Sequence, residues 1–263
     1  MLAVFFTGSG DMIRYDTAYC SILGARKDQQ DSYKVLVQED ISFAVVCDGL
    51  GGHKGGALAS GLAVDMLTRS FNEQRPEDIA LFLADNARKI NEAVYDLRCE
   101  DGSRMGAGST IVCAIIEHNR LYRLSIGDSR IYLFRDSQLM QITVDHNYFM
   151  LLDHSLKSGR ITQEEYEQEC YKGNSLISVL GMEQPGMVDI NTKPLELQDG
   201  DIVILMSDGL YKALDDEEIA DCLQGDAKNC CERITERLQL VSQDSLDNTT
   251  FIIERITEEK SDG

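Results

Sequence analysis

The chain has 263 residues, of which 43% are hydrophobic and 27% charged, so it is long enough to bury a substantial core. Its 45 acidic and 25 basic residues give a formal net charge of −20, which argues against nucleic acid or an anionic membrane as a partner. The composition instead favours cations or basic peptide segments as ligands.

The eight cysteines lie scattered in apolar runs, without any Cys-x-x-Cys pair, which indicates reduced thiols. The adjacent Cys230 and Cys231 fall in a helical pattern, where packing and a redox role both stay open. No stretch has the length of a membrane span or the basic start of a signal peptide, so we expect a cytoplasmic protein with no membrane contact.

The first half of the chain predicts a hairpin followed by two helices. Apolar runs at 33–37 and 41–47 flank a short polar turn, which is typical of an antiparallel hairpin. Apolar residues then recur at helical spacing over 55–71. A second helical pattern opens at Pro76, followed by acidic residues, and continues to about residue 97.

The second half predicts further strands, with helices between them. The predicted strands are 108–116, 121–126, 131–134, 139–142, 187–192, 201–206 and 247–253. The predicted helices are 216–223 and 227–240. The segment 147–174 is polar and helical, with a capping box at Thr162 and Glu165. We expect a frayed tail from about 257 to 263.

Strands and helices do not alternate regularly along the chain. This order favours an α+β fold with antiparallel sheets and separate helices, in a single domain over 1–263.

Aspartates stand at the ends of several predicted strands. Asp48, Asp128 and Asp208 each follow a buried strand, whereas Asp31 and Asp247 each precede one. Antiparallel strands bring such ends to one edge of a sheet. One aspartate there is typical of an ordinary turn, but clustered carboxylates repel each other and require cations.

The chemistry of this acidic cluster points to a hard metal ion. All the candidate ligands are oxygen atoms, which favours Mg²⁺ or Mn²⁺ over a structural zinc. A bridging carboxylate at Asp48 suits two ions about 3.5–4 Å apart, as in hydrolases that activate a water molecule. Metal-assisted hydrolysis of a phosphate ester is therefore the favoured reaction.

Eight short motifs, in this order, resemble those of the metal-dependent serine/threonine protein phosphatases of the type 2C (PPM) family, in their compact bacterial single-domain form. The motifs are Arg26-Lys-Asp-Gln-Gln-Asp31, Asp48-Gly-Leu-Gly-Gly-His53, Gly108-Ser-Thr110, Gly127-Asp-Ser-Arg130, Asp145-His146, Leu180-Gly181, Ser207-Asp-Gly-Leu210 and Asp247-Asn-Thr-Thr250. The resemblance implies an αββα sandwich, two antiparallel sheets flanked by helices. It also implies that 147–174 is a flap beside the active site.

The same resemblance implies a set of metal ligands. Asp48 would bridge two Mn²⁺ or Mg²⁺ ions, with the Gly49 carbonyl on one ion and Asp208 and Asp247 on the other. Asp128 would join Asp208 at the third ion found in bacterial members.

The resemblance also implies catalytic roles and partners. Arg26 would bind the substrate phosphate and Asp31 would hold metal-bound water, while a metal-bridging hydroxide attacks phosphorus in line without a covalent intermediate. His53 is a candidate proton donor to the leaving group. Phosphorylated proteins would be the substrates, and a Ser/Thr kinase the functional counterpart.

Two departures from the family pattern leave an alternative open. Gln30 stands where many members have Glu, and Lys212 stands where animal members have another metal-binding Asp. The alternative is a catalytically weak, phosphatase-like regulatory or binding module.

Overall fold

The protein is described by a computed structural model that covers residues 12–38, 40–52, 54–73, 75–184, 186–242 and 244–259. Five of its strands form one antiparallel sheet: β1 (Met12–Ile22), β7 (Arg130–Arg135), β8 (Gln138–Gln141), β11 (Ile202–Met206) and β12 (Thr249–Glu259). Their spatial order is β1-β12-β11-β7-β8. The last strand of the chain is therefore paired with the first.

The remaining strands form a second antiparallel sheet. They are β2 (Asp31–Gln38), β3 (Ile41–Leu50), β4 (Gly108–Ser109), β5 (Ile111–Glu117), β6 (Arg120–Ile126), β9 (Asp189–Ile190) and β10 (Leu195–Glu196). The main path runs β10-β6-β5-β3-β2, with β4 on β3 and β9 on β6. The predicted hairpin is the β2–β3 pair, in which Asp31 lies opposite Asp48.

The two sheets pack face to face. Ala44 and Val46 of β3 belong to one apolar cluster with Val203 and Leu205 of β11. The alternate residues of β3, such as Phe43, lie in a different cluster on the outer face of their sheet. Because β3 is covered on both faces, its sequence is continuously apolar rather than alternating.

Helices cover the outer face of each sheet. The second sheet is covered by α1 (Gly55–Glu73) and α2 (Ile79–Tyr95), and the first by α5 (Asp208–Ala213), α6 (Asp216–Asp221) and α7 (Ala227–Leu240). The Asp78 side chain caps α2 by accepting a hydrogen bond from the Leu81 amide. The predicted αββα architecture is confirmed.

Two further helices follow β8, α3 (Tyr148–Lys157) and α4 (Gln163–Glu169), and α4 leads into a 3₁₀ turn at Cys170–Lys172. The predicted capping box is present at the start of α4, where the Glu165 amide donates to Thr162 Oγ1 at 3.2 Å. Within the described ranges, no helix combines the length and hydrophobicity that a membrane crossing requires.

Several element boundaries differ from the sequence-based expectation. The strand expected over 187–192 is only Asp189–Ile190, whereas β12 continues to Glu259, so residues 257–259 are paired with β1 rather than frayed. Residues 260–263 lie outside the described part. β1, β10 and α5 were not predicted; α5 follows directly from the strand-end motif at Asp208.

Candidate metal centre

The candidate site lies where strand ends from the two sheets meet. In the second sheet, the β2–β3 register sets Asp31 opposite Asp48. In the first sheet, Asp208 follows β11, Asp247 precedes β12, and these two strands are paired. Ser207 links the sheets, since its hydroxyl donates to Asp31 Oδ2 at 2.8 Å and its amide donates to the Thr250 carbonyl at 2.9 Å.

The backbone of Asp48 is held by two hydroxyl residues of the neighbouring chain segment. Its amide donates to Thr110 Oγ1 at 2.9 Å, and its carbonyl accepts from the Thr110 amide at 2.8 Å and the Ser109 hydroxyl at 3.0 Å. Thr110 Oγ1 lies 2.7 Å from Ser129 Oγ. This buried hydroxyl network fixes the point from which the Asp48 carboxylate projects.

Gly49 is required by a close approach of backbones. A Cβ atom at this position would lie 2.1 Å from the Gly56 carbonyl oxygen and 2.7 Å from the Gln30 carbonyl oxygen. The Gly49 amide also donates to that Gln30 carbonyl at 3.1 Å. Any side chain here would push the start of α1 away from β3.

Burial and mutual repulsion act on the Asp48 carboxyl. They raise its pKa to about 9, through burial first and then through the charges of Asp31, Asp208, Asp128 and Asp247. The other four acids predicted from strand ends are thus close enough to influence the Asp48 carboxyl.

The pKa values of Asp31 and Asp128 are raised as well. Burial raises the pKa of Asp31 to about 6, against the opposing effect of the hydrogen bond from Ser207. The pKa of Asp128 also rises to about 6, through burial and then the charge of Asp208. Asp31 Oδ1 is buried and has no hydrogen-bond partner in the described part of the chain.

These features are those of a site that fits a hard divalent cation. A cation would favour the ionised carboxylates, and a metal-bound water could serve the unpaired Asp31 oxygen. The donors are carboxylates and backbone carbonyls, which suit Mg²⁺ or Mn²⁺.

Two of the predicted ligands are paired with side-chain cations. Arg26 Nη2 lies 2.6 Å from Asp247 Oδ2, and the Lys212 ammonium contacts Asp208 one helical turn away in α5. Among the described residues, no three His, Cys, Asp or Glu side chains are arranged to hold one ion together. Neither cation belongs to the motif at the end of a strand that carries its partner aspartate.

Arg130, the one basic residue in a strand-end motif, is paired with Asp145, a contact that the sequence did not predict. It forms a two-point ion pair with Asp145, at 3.0 and 2.7 Å, and its guanidinium lies over the Tyr211 ring, 3.6 Å from the centroid. The neighbouring Tyr211 hydroxyl opposes the rise in the pKa of Asp128 that burial causes. These contacts join residues far apart in sequence beside Asp128.

The candidate histidines divide into two cases. His146 is buried, and its Nδ1 accepts a hydrogen bond from the Gly127 amide at 3.2 Å, so it supports the turn before Asp128. His53, the candidate proton donor, lies outside the described residues.

Comparison with known protein families identifies the family of this chain. A family model described as Protein phosphatase 2C matches residues 24–249. The chain belongs to the protein phosphatase 2C family.

Two relatives of this protein phosphatase 2C chain come from bacteria. It is 30% identical over 204 residues to the serine/threonine phosphatase stp of Listeria welshimeri, covering 76% of this chain and 79% of the relative. It is 31% identical over 227 residues to the protein phosphatase PhpP of Streptococcus pneumoniae, covering 84% and 88%. The predicted family and the predicted class of enzyme, a protein serine/threonine phosphatase, are confirmed.

A solved structure from the same family carries metal. It is the catalytic domain of the serine/threonine protein phosphatase PstP in complex with two manganese ions, with a TM-score of 0.72 and 28% identity. The alignment covers 94% of this chain and all of that one. The site described above therefore lies in a fold that is known to hold two ions in one of its members.

Proposed function

We propose that this phosphatase removes phosphate from phosphoserine and phosphothreonine in proteins, using two Mn²⁺ or Mg²⁺ ions held by the strand-end aspartates. The observation that carries the proposal is Asp48, a buried residue whose backbone is held by hydroxyl residues, and whose carboxyl pKa is raised to about 9 by burial first and then by the charges of four other aspartates. Such an arrangement is unfavourable without cations and favourable with them.

The proposed ligand set is the one that the family resemblance implies, and the proximity of these aspartates to Asp48 supports it. Asp48, the Gly49 carbonyl, Asp208 and Asp247 would hold the two ions, and Asp128 with Asp208 would hold a third. When bound, the ions supply charge neutralisation and an activated water molecule for direct, in-line attack on phosphorus. The cofactor prediction of manganese or magnesium is confirmed at the level of the family by the manganese-containing PstP structure.

The chain's own residues bind and orient the substrate. The Arg26 side chain is 59% exposed, so its guanidinium can accept a phosphate from solvent while its edge remains near Asp247. A planar guanidinium fork matches the oxygen atoms of a phosphate. The carboxylate of Asp31, fixed by Ser207, accepts a hydrogen bond from the attacking water and orients it.

The mechanism requires no covalent intermediate with the protein. Ser207 and Ser109 are both buried, and their hydroxyls donate to Asp31 and to the Asp48 carbonyl. They act as structural supports for the acids rather than as nucleophiles. A Ser/Thr kinase counterpart, a cytoplasmic location and a proton-donating role for His53 stay predictions.

The direct test is phosphatase activity on p-nitrophenyl phosphate and on a phosphothreonine peptide. We expect turnover with Mn²⁺, loss of turnover with EDTA, and a fall of more than roughly 100-fold in Asp208→Asn, since a lost metal ligand exceeds the effect of a lost supporting residue. Asp221→Asn, at the end of α6, is the matched control and should retain activity. Turnover that needs no Mn²⁺ and is unchanged in Asp208→Asn would refute the mechanism.

The ion pair between Lys212 and Asp208 favours the alternative hypothesis, a weakly catalytic regulatory or binding module. Isothermal titration calorimetry with Mn²⁺ distinguishes the enzyme from the module. Binding of two ions supports the enzyme, whereas failure to bind two ions at millimolar Mn²⁺ supports the module.

A further inference from the structure

Two cysteines from distant parts of the chain are in contact on the far side of the first sheet from the sheet interface. Cys20 lies on β1 and Cys231 on α7, and Cys20 packs against the apolar cluster between this sheet and α7 that contains Cys231. The Thr235 hydroxyl donates to Cys20 Sγ, at 3.6 Å, and it links the two residues, since it also lies 2.8 Å from the Cys231 carbonyl oxygen. We propose that Cys20 and Cys231 form a peroxide-reactive dithiol that closes an intramolecular disulfide between β1 and α7.

The surroundings give the two sulfur atoms different roles. The neighbouring Cys231 thiol and the Thr235 hydroxyl lower the pKa of Cys20 to about 6, so that the thiolate is stabilised. The pKa of Cys231 is raised, by the neighbouring Cys20 and by burial. Cys20 is therefore the attacking thiolate, and Cys231 retains its proton as the resolving thiol.

A small oxidant can reach this pair. Cys231 lines a surface cavity of about 340 Å³ between Tyr19 on β1 and Lys228 on α7. Tyr19 is 52% exposed, and Cys20 beside it is partly exposed. Thiolate character together with access is what distinguishes oxidation-sensitive cysteines from inert buried ones.

The adjacent Cys230 has a different environment. It is fully buried, its thiol donates to the Gln224 carbonyl at 3.5 Å, and burial raises its pKa. The sequence left a redox role for the Cys230–Cys231 pair open; the structure instead gives Cys231 a partner on another element. Cys230 thereby provides a matched control one residue away.

The chemistry requires hydrogen peroxide as the oxidant and balances in two steps. The Cys20 thiolate attacks one peroxide oxygen, the O–O bond breaks, and Cys20 sulfenic acid and hydroxide form. The Cys231 thiol then attacks the sulfenic sulfur, the S–O bond breaks, the S–S bond forms and water leaves. The two thiols together lose two electrons, which the peroxide accepts.

The test is peptide mapping of the full wild-type chain after brief treatment with hydrogen peroxide, followed by alkylation of the remaining thiols. We expect a peptide carrying Cys20 linked to the peptide carrying Cys230 and Cys231, a loss of two hydrogen masses in the intact protein, and reversal by dithiothreitol. The link should persist in Cys230→Ser and be absent in Cys231→Ser.

The mapping on wild-type protein does not depend on any variant folding, and it needs no phosphatase activity. Three results would overturn the proposal: a link that disappears in folded Cys230→Ser, oxidation of Cys20 to sulfinic acid with Cys231 still alkylated, or peroxide consumption confined to other thiols such as the exposed Cys99.

Discussion

Glu254 is a carboxylic acid buried between the two sheets, away from the metal centre. It lies on β12, is 0% exposed, and accepts a hydrogen bond from the Ser42 hydroxyl of β3 on the opposite sheet. Its second oxygen, Oε2, has no hydrogen-bond partner in the described part of the chain. Burial raises the pKa of Glu254 to about 7, from an ordinary value of 4.5.

The sign and size of the effect on stability follow from that pKa. Between pH 4.5 and 7, the folded state holds a proton that the unfolded chain has released. Stability therefore falls as the pH rises through this window, and the loss is complete above pH 7. The gap between 4.5 and about 7 corresponds to about 3 kcal/mol of unfolding free energy.

Replacing Glu254 with Gln removes this titration while keeping the shape and an acceptor for Ser42. We expect the unfolding free energy of Glu254→Gln, minus that of wild type, to rise by about 2–3 kcal/mol between pH 5 and pH 8.5. The measurement is urea unfolding followed by circular dichroism, in EDTA, at several pH values. The aspartate cluster is present in both proteins, so its own titration cancels in the difference.

Glu258→Gln is the matched control, because Glu258 lies on the same strand and is exposed. Its difference from wild type should be small and nearly independent of pH. If the difference for Glu254→Gln is equally flat from pH 5 to 8.5, then the reasoning about a protonated buried carboxyl is wrong.

Three further predictions concern the metal centre. Gly49→Ala should destabilise the fold by about 3 kcal/mol or more in urea unfolding, because its Cβ would overlap backbone atoms, whereas Gly52→Ala, with no atom within 4 Å, should have little effect. Lys212→Gln should tighten Mn²⁺ binding roughly two- to fivefold by calorimetry, since the partly exposed ammonium competes with the ion for Asp208. Lys228→Gln, which removes an ion pair on α7, is the control and should leave the Mn²⁺ affinity unchanged. Equal Mn²⁺ affinities in the two variants would contradict this role of Lys212. Arg26→Ala should lower kcat/KM for a phosphopeptide by roughly 10- to 100-fold, whereas an equal loss in the exposed neighbour Lys27→Ala would show that the effect is not specific.

The parts of the fold that could be predicted have strong local patterns. The helix predicted over 227–240 has those bounds as α7, because its apolar residues recur at helical spacing along an exposed element. The acids at strand ends were found because a buried strand is a continuous apolar run whose end is plain in the sequence. Their gathering at one edge follows from antiparallel pairing.

The parts that could not be predicted depend on distant neighbours or on short elements. Asp145 and Tyr211 reach Arg130 only through the folded chain, and no spacing in the sequence reveals that contact. The ion pair of Lys212 and Asp208 did have a signal, the four-residue spacing of one helical turn. That signal was missed because α5 has only six residues and follows a strand directly.

The glycines that follow two of the strand-end aspartates limit how this site can change during evolution. A Cβ on Gly49 would meet the backbone of Gly56, and a Cβ on Gly209 would lie 2.1 Å from the backbone oxygen of Asn248. The nearest obstacle at each position is main chain, which no side-chain replacement elsewhere can remove. Second-site suppressors of substitutions at these glycines should therefore be insertions or deletions in the adjoining loops. These two positions should stay glycine in related sequences, while the surrounding side chains vary.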